Sequence, residues 1–285
     1  MARIVVGNRD GSLAIRKGRL VLERLVEEWP DLHLTLRTVS CGAGTDVSPL
    51  LDAVGANKID VAVVQAEHLP LDLPEGLTLA TVQRRADARS ALVARGAKSF
   101  LELSAGATVG VLTERDAAFV RAANPSLLTQ VGTDQPEAEM ASLAAGHYQA
   151  LVIPLATLAE LDLRDRGEVP LETEDFTPAP GQGAVAFVVR DGDNLAFDTV
   201  YPLQHRPSLD RLRAERAFAR ALAASQPPVL SGALAQVSSD GELTLFGTVT
   251  KGEAVVQAST SGEARDAEEI GRELAQDVLE RLARL

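Results

Sequence analysis

The chain has 285 residues, 46% of them hydrophobic, with 40 acidic against 28 basic side chains, a net charge of −12. That length exceeds what a single hydrophobic core usually fills, about 250 residues, so two or three domains are expected. The acidic balance works against a nucleic acid backbone or an anionic membrane as partner, because the long-range field repels both.

Taken in chain order, Arg3 to Val6 reads as a short apolar strand with no basic leader or membrane-spanning length, which points to a cytoplasmic protein. The loop NRDGS at 8 to 12 precedes a helical stretch from Leu13 to Glu28, the arrangement that presents helix-terminal amides to an anion. Leu13, Leu20, Val21, Leu25 and Val26 are expected on its packed face, with Arg16, Lys17, Arg24 and Glu28 solvated. Further strands are expected at Leu34 to Val39, Val61 to Val64, Thr108 to Leu112 and Ala150 to Ile153, with a helix at Arg115 to Ala123 between them. Strands alternating with helices in this rhythm mark an α/β fold with largely parallel sheets.

The segment PAPGQGA at 178 to 184 combines φ-restricted prolines with permissive glycines and reads as a hinge-like return, followed by the buried strand AVAFVV. LDRLRAERAFARALAA is an amphipathic helix. Strands near Leu234 to Val237, Leu243 to Val249 and Ala254 to Ala258 and a closing helix over Asp266 to Leu285 complete a small α+β region. The lone Cys41 excludes an internal disulfide and any CxxC metal knuckle. His33, His147 and His205 have no acidic or cysteine partners at metal-ligand spacing, so no metal is expected.

Five islands together resemble the porphobilinogen deaminase (hydroxymethylbilane synthase) family: VVGNRDGSLAI at 5 to 15, IDVAVVQAEHLPLDLPEGL at 59 to 77, TVGVLTERDAAFVRAANPSL at 108 to 127, PAPGQGAVAF at 178 to 187, and AERAFARAL at 214 to 222. The resemblance implies two periplasmic-binding-protein-like lobes with mixed, largely parallel sheets and a small α+β third domain. It further implies that the strand after PAPGQGA returns to the first sheet. The expected domains are then a discontinuous first lobe, 1–84 with 182–202, a second lobe, 89–177, and a C-terminal domain, 206–285. The family serves tetrapyrrole, hence haem, biosynthesis, and builds its product on a dipyrromethane cofactor joined to a cysteine.

This chain departs from that pattern where the chemistry is most demanding. Gln226 falls at the cofactor-attachment cysteine, after Ala223, Ala224 and Ser225 in place of a glycine-rich approach. A thiolate forms a stable carbon–sulfur link, whereas a neutral carboxamide is a poor nucleophile. In VVQAEHLP, Glu67 takes the place of the family lysine and His68 that of the catalytic aspartate. An aspartate can hold a pyrrole N–H and stabilise the cation that forms as ammonia leaves; an imidazolium would oppose it. Arg9, Arg89 and Arg115 remain at family arginines that recognise carboxylates. The arginine after Arg115, however, has become Asp116, two downstream arginine positions fall on Thr133 and Glu139, and the segment between Asp46 and Asn57 is shortened. Arg9 and Arg115 serve either a ligand carboxylate or salt bridges, and sequence alone leaves both open. Cys41, the one thiol, has no recognisable thiolate-stabilising surroundings.

The expectation is therefore a pseudoenzyme of this family, without a covalent cofactor, that binds through Arg9, Arg89 and Arg115 a small carboxylated molecule such as porphobilinogen or a tetrapyrrole intermediate, or a protein partner. One alternative is an active hydroxymethylbilane synthase primed through another residue or noncovalently, with Cys41, His68, Arg9 and Arg115 as first suspects. The other is a small-anion-binding regulatory module.

Overall fold

A computed structural model describes residues 2–42, 44–133, 135–163, 168–226, 228–252 and 254–284. The chain divides into two compact units, Met1–Arg85 with Ala184–Leu209, and Ala86–Gly183 with Asp210–Leu285. Among the described residues no helix is long and apolar enough to cross a membrane.

In the first unit the chain runs β1 (Arg3–Arg9), α1 (Ser12–Glu28), β2 (His33–Val39), α2 (Ser48–Gly55), β3 (Val61–Gln65) and β4 (Leu77–Val82). The second unit adds β5 (Ser90–Ala94), β6 (Thr108–Val111), α3 (Glu114–Ala123), β7 (Leu128–Val131), α4 (Pro136–Ala145), β8 (Ala150–Pro154), α5 (Leu155–Glu160) and β9 (Glu168–Pro170). The chain then returns to the first unit as β10 (Val185–Arg190) and α6 (Asn194–Val200). The long α7 (Arg206–Ala223) leads to β11 (Leu230–Val237), β12 (Glu242–Lys251), β13 (Ala254–Glu263) and α8 (Ala267–Leu282).

The two larger sheets follow one plan. Their strand orders are β2-β1-β3-β10-β4 and β7-β6-β8-β5-β9, each with a parallel trio continued by antiparallel strands. The sheets are thus evenly mixed, and β11-β12-β13 forms a separate antiparallel sheet covered by α8. The α/β architecture with a small α+β region is the one expected from the sequence. In each large sheet successive strands step first to one side of β1 or β6 and then to the other. Such a reversal is a topological switch point, and ligands of open α/β sheets commonly sit there, outside the carboxyl ends of the strands.

Side-chain pattern explains these choices. The strand VAVVQ of β3 is buried on both faces, as a central strand must be, and Phe187, Val188 and Val189 of β10 are fully enclosed. Gly7 lets β1 approach Ile59, whose Cδ1 would lie 2.3 Å from an added Cβ. On α1 the buried positions are Gly18, Val21 and Leu25, spaced i, i+3 and i+7. Leu20 and Val26, expected on that face, are 54% and 47% exposed. Each lies one residue, about 100° of helix rotation, from the packed stripe.

Candidate functional site

Arg9 is the last residue of β1, and Gly11, at φ +107°, turns the chain into α1 without a side-chain cap. Glycine adopts that conformation without the penalty a Cβ would carry. Arg9 donates through Nη2 to the Gly42 carbonyl at 3.2 Å. It lines an open pocket with Lys17 of α1, Gln65 at the end of β3, and His68 in the 3-10 turn Ala66–His68. Val47, Leu50, Val63 and Val185 supply apolar walls. Val47 and Leu50 belong to the shortened segment, which here forms α2 and its approach. Two cations beside apolar side chains can meet a carboxylate, but the cavity is small, about 20 Å³, room for about one water, so anything larger than the carboxylate group would extend out of it.

Lys17, assigned to solvent from the sequence, is a pocket residue. Ala14, Lys17 and Gly18 stand i, i+3 and i+4 on α1 and continue toward Val21, so helical spacing carried the signal. Glu67 and His68 follow one another in the turn after β3. Of the two, His68 lines the pocket.

Beside Arg9 a small hydrogen-bonded corner fixes the end of β2. Asp10 accepts the Cys41 backbone N–H at 2.9 Å and the Ser40 hydroxyl at 2.9 Å, and these bonds hold its carboxyl below the usual range. Cys41 is half-buried, with Sγ 3.7 Å from the Val39 carbonyl. Burial pushes its thiol above the ordinary value, against the opposing pull of Arg9. Gln226 lies exposed in a bend after α7.

In the second unit Arg89 forms a two-pronged bond to Asp87, Nε–Oδ1 3.2 Å and Nη2–Oδ2 2.9 Å, with Glu172 at 3.7 Å from Nη1. The Asp87 bond raises the Arg89 pKa. Arg115, on the first turn of α3, is enclosed. Nε donates to the Ser231 carbonyl at 2.9 Å, Nη1 pairs with Asp116 at 2.5 Å, and the guanidinium lies 4.4 Å from the centre of the Phe119 ring. Burial pushes its pKa down against the raising effect of Asp116. Arg115 therefore joins α3 to β11 within this unit.

The positions Thr133 and Glu139 also come together. Glu139, 3% exposed, accepts the Thr133 backbone N–H at 2.7 Å, the Thr133 hydroxyl at 2.8 Å and the Tyr148 hydroxyl at 2.9 Å. Burial alone would raise its pKa, but these three donors outweigh it and hold the carboxyl low. The hinge segment is equally pinned: buried Gln182 donates to the Ala88 carbonyl at 2.6 Å, and Glu215 accepts Gly181 and Ala235 N–H groups at 2.7 and 2.8 Å. Neither Gln182 nor Glu215 was singled out from sequence, where only the glycines and prolines stood out. Among the described residues no group of three or more His, Cys, Asp or Glu side chains could hold a metal.

Comparison with known proteins gives the geometry a family. A model described as "Porphobilinogen deaminase, dipyromethane cofactor binding domain" matches residues 4–198. The porphobilinogen deaminase of Thermus thermophilus is 39% identical over 292 residues, covering 98% of this chain and 96% of that protein. That of Deinococcus radiodurans is 35% identical over 301 residues, covering 99% and 96%. Solved structures resemble the chain more distantly. A YaeC-family lipoprotein of Enterococcus faecalis has 15% identity and a TM-score of 0.48, covering 71% of this chain and 91% of its own. With more than half the chain matched by the family model and nearly all of it by relatives above 30% identity, the chain belongs to the porphobilinogen deaminase family, whose work is tetrapyrrole biosynthesis.

Proposed function

We propose that this member of the family has given up covalent priming and binds a small carboxylated molecule of tetrapyrrole metabolism, porphobilinogen or a close relative, in the pocket of its first unit. The observation that carries this reading is the placement of its nucleophiles. A dipyrromethane primer needs a thiolate, and the chain's one thiol, Cys41, is half-buried with its pKa raised, while Gln226 offers an exposed amide. These residues do not fit the covalent group.

Recognition then falls to Arg9 and Lys17, with Gln65 beside them to bond a ligand N–H or carboxylate. His68, at the family's aspartate position, supplies no fixed negative charge for a developing cation. Binding without turnover is the consequence, and a role in sensing or delivering a pathway intermediate fits it.

The test is intact-protein mass of the purified chain before and after exposure to porphobilinogen, alongside an assay for hydroxymethylbilane. The expected result is an unmodified mass in both states, no product, and ligand-dependent thermal stabilisation that Arg9→Ala removes. A dipyrromethane-sized adduct, mapped to any residue, together with product formation would overturn the reading in favour of an active synthase with an unusual anchor. Stabilisation by an unrelated anion but not by porphobilinogen would point instead to a small-anion regulatory module.

A further inference from the structure

The parallel strands β6, β7 and β8 end along one edge of the second sheet, since Val111 pairs with Val131 and β8 runs parallel to β6. Strand β5 runs the other way, so its first residue, Ser90, pairs with Pro154 at the end of β8. Arg89, Arg115 and Thr133 therefore belong to the same carboxyl edge, the edge at which sheets of this topology take their ligands. Each of the three is a donor suited to a carboxylate, and each is already engaged by a carboxylate of the chain itself: Asp87 on Arg89, Asp116 on Arg115, and Glu139 on Thr133.

The Glu139 site is the most complete. A backbone N–H, a hydroxyl and a phenol converge on one carboxylate, and the surrounding sequence is shaped to admit it. At Gly132 an added Cβ would lie 2.2 Å from Glu139 Oε2, and at Gly110 one would lie 2.6 Å from the Tyr148 ring. Two glycines thus leave room for the carboxylate and for its phenol donor. We propose that the carboxyl edge of the second sheet holds a self-occupied carboxylate site, with Glu139 as the tethered ligand of Thr133 and Tyr148. Asp116 and Asp87 engage only part of the donors of their arginines: Arg115 Nη2 stays buried without a hydrogen-bond partner among the described residues. An external carboxylate is thereby excluded from the Thr133 and Tyr148 donors until Glu139 is withdrawn. The inference deepens the functional reading above by assigning external ligand recognition to the first unit, and it rests on that reading only for the class of ligand.

Acetate is the probe, because it is the part of the glutamate side chain that Glu139→Ala removes. Glu139→Ala should lower the melting temperature by roughly 4–8 °C, the loss of charge-assisted bonds in a chain of this size. Acetate should then restore roughly half of that loss at about tenfold above its dissociation constant, rising with the logarithm of its concentration. Sodium chloride at equal ionic strength should restore none of it, and the wild type should show no such acetate response. Acetate stabilising the variant no more than the wild type, or no more than chloride does, overturns the proposal.

Should Glu139→Ala fail to fold, the isosteric Glu139→Gln in a Tyr201→Phe background leaves Tyr148 as the one tyrosine to titrate by ultraviolet absorbance. Burial and Glu139 together raise its phenol pKa. Loss of the negative charge should bring that pKa down relative to Tyr201→Phe alone, and an unchanged value also overturns the proposal. Neither readout involves porphobilinogen, so the failure of this inference and the failure of the pocket reading are separately visible.

Discussion

At the end of β1 the chain places Arg9 on the rim of a pocket, while just beyond the end of β6, the corresponding strand of the second sheet, it places Arg115 in the interior between Asp116, Ser231 and Phe119. Both follow a parallel strand at a point of reversed strand order, and both precede or open a helix. What differs is the residue that comes next. Asp10 turns to the backbone of Cys41 and the Ser40 hydroxyl, whereas Asp116 turns to the arginine itself. One strand–loop–helix plan therefore places one arginine at the edge of a pocket and the other as an internal strut.

The contrast breaks most visibly at Gly110. Gly110→Ala sets a methyl group against the buried Tyr148 ring, which cannot swing aside without losing its bond to Glu139. Overpacking and the lost hydrogen bond together should cost about 3 kcal/mol, measured by urea denaturation. A cost below about 0.5 kcal/mol would mean that the second edge tolerates rearrangement and is not the rigid, self-filled site described.

A smaller effect separates the edges by pH. Glu139 has a folded pKa below its ordinary value of 4.5. A carboxylate of this kind binds protons more readily in the unfolded chain, so its stabilisation is complete above the unfolded value and is lost as pH falls from there through the folded value. The loss is complete below the folded value, where three donors face a neutral group. Melting temperatures of wild type and Glu139→Gln should converge below pH 4.5 and separate above it. Curves that stay parallel would remove Glu139 from the account.

Why the first edge was more legible than the second follows from the kind of signal each carries. Arg9 stands in a short island, NRDGS, where strand, turn and helix are contiguous, and the family resemblance of that island singles it out. The strands at Val61, Thr108 and Ala150 were equally plain, because central strands need unbroken runs of Val, Ile, Leu and Ala. The strands of the small sheet run longer than expected, to Leu230–Val237 and Ala254–Glu263, because alternating Ser, Thr and Gln on an exposed face dilute the pattern. Glu139, Tyr148 and Gly132 make sense together only in three dimensions. The resemblance made Asp116 and Glu139 legible as carboxylates at positions expected to hold arginine, hence as repulsion, but not that Asp116 would pair with Arg115 and Glu139 with Thr133 and Tyr148. Lys17 escaped because a cation on an amphipathic helix is ordinarily assigned to water.

The gentlest test concerns the first edge alone. Arg9 lowers the Cys41 pKa while burial raises it more, so the thiol is mostly protonated at neutral pH and should alkylate more slowly than an unstructured cysteine. Arg9→Ala removes the charge that favours the thiolate, and the iodoacetamide rate at fixed pH should fall by about twofold, the size expected of a partly exposed charge–charge interaction. Raising the salt concentration should slow the wild type toward the variant, because screening weakens the same field. A faster reaction in the variant would show instead that Arg9 shields the thiol sterically, by way of its bond to the Gly42 carbonyl, and that its guanidinium is committed to closing the loop over Cys41. In that case the pocket's cation for a ligand carboxylate would be Lys17, and the two edges would resemble one another more than their arginines suggest.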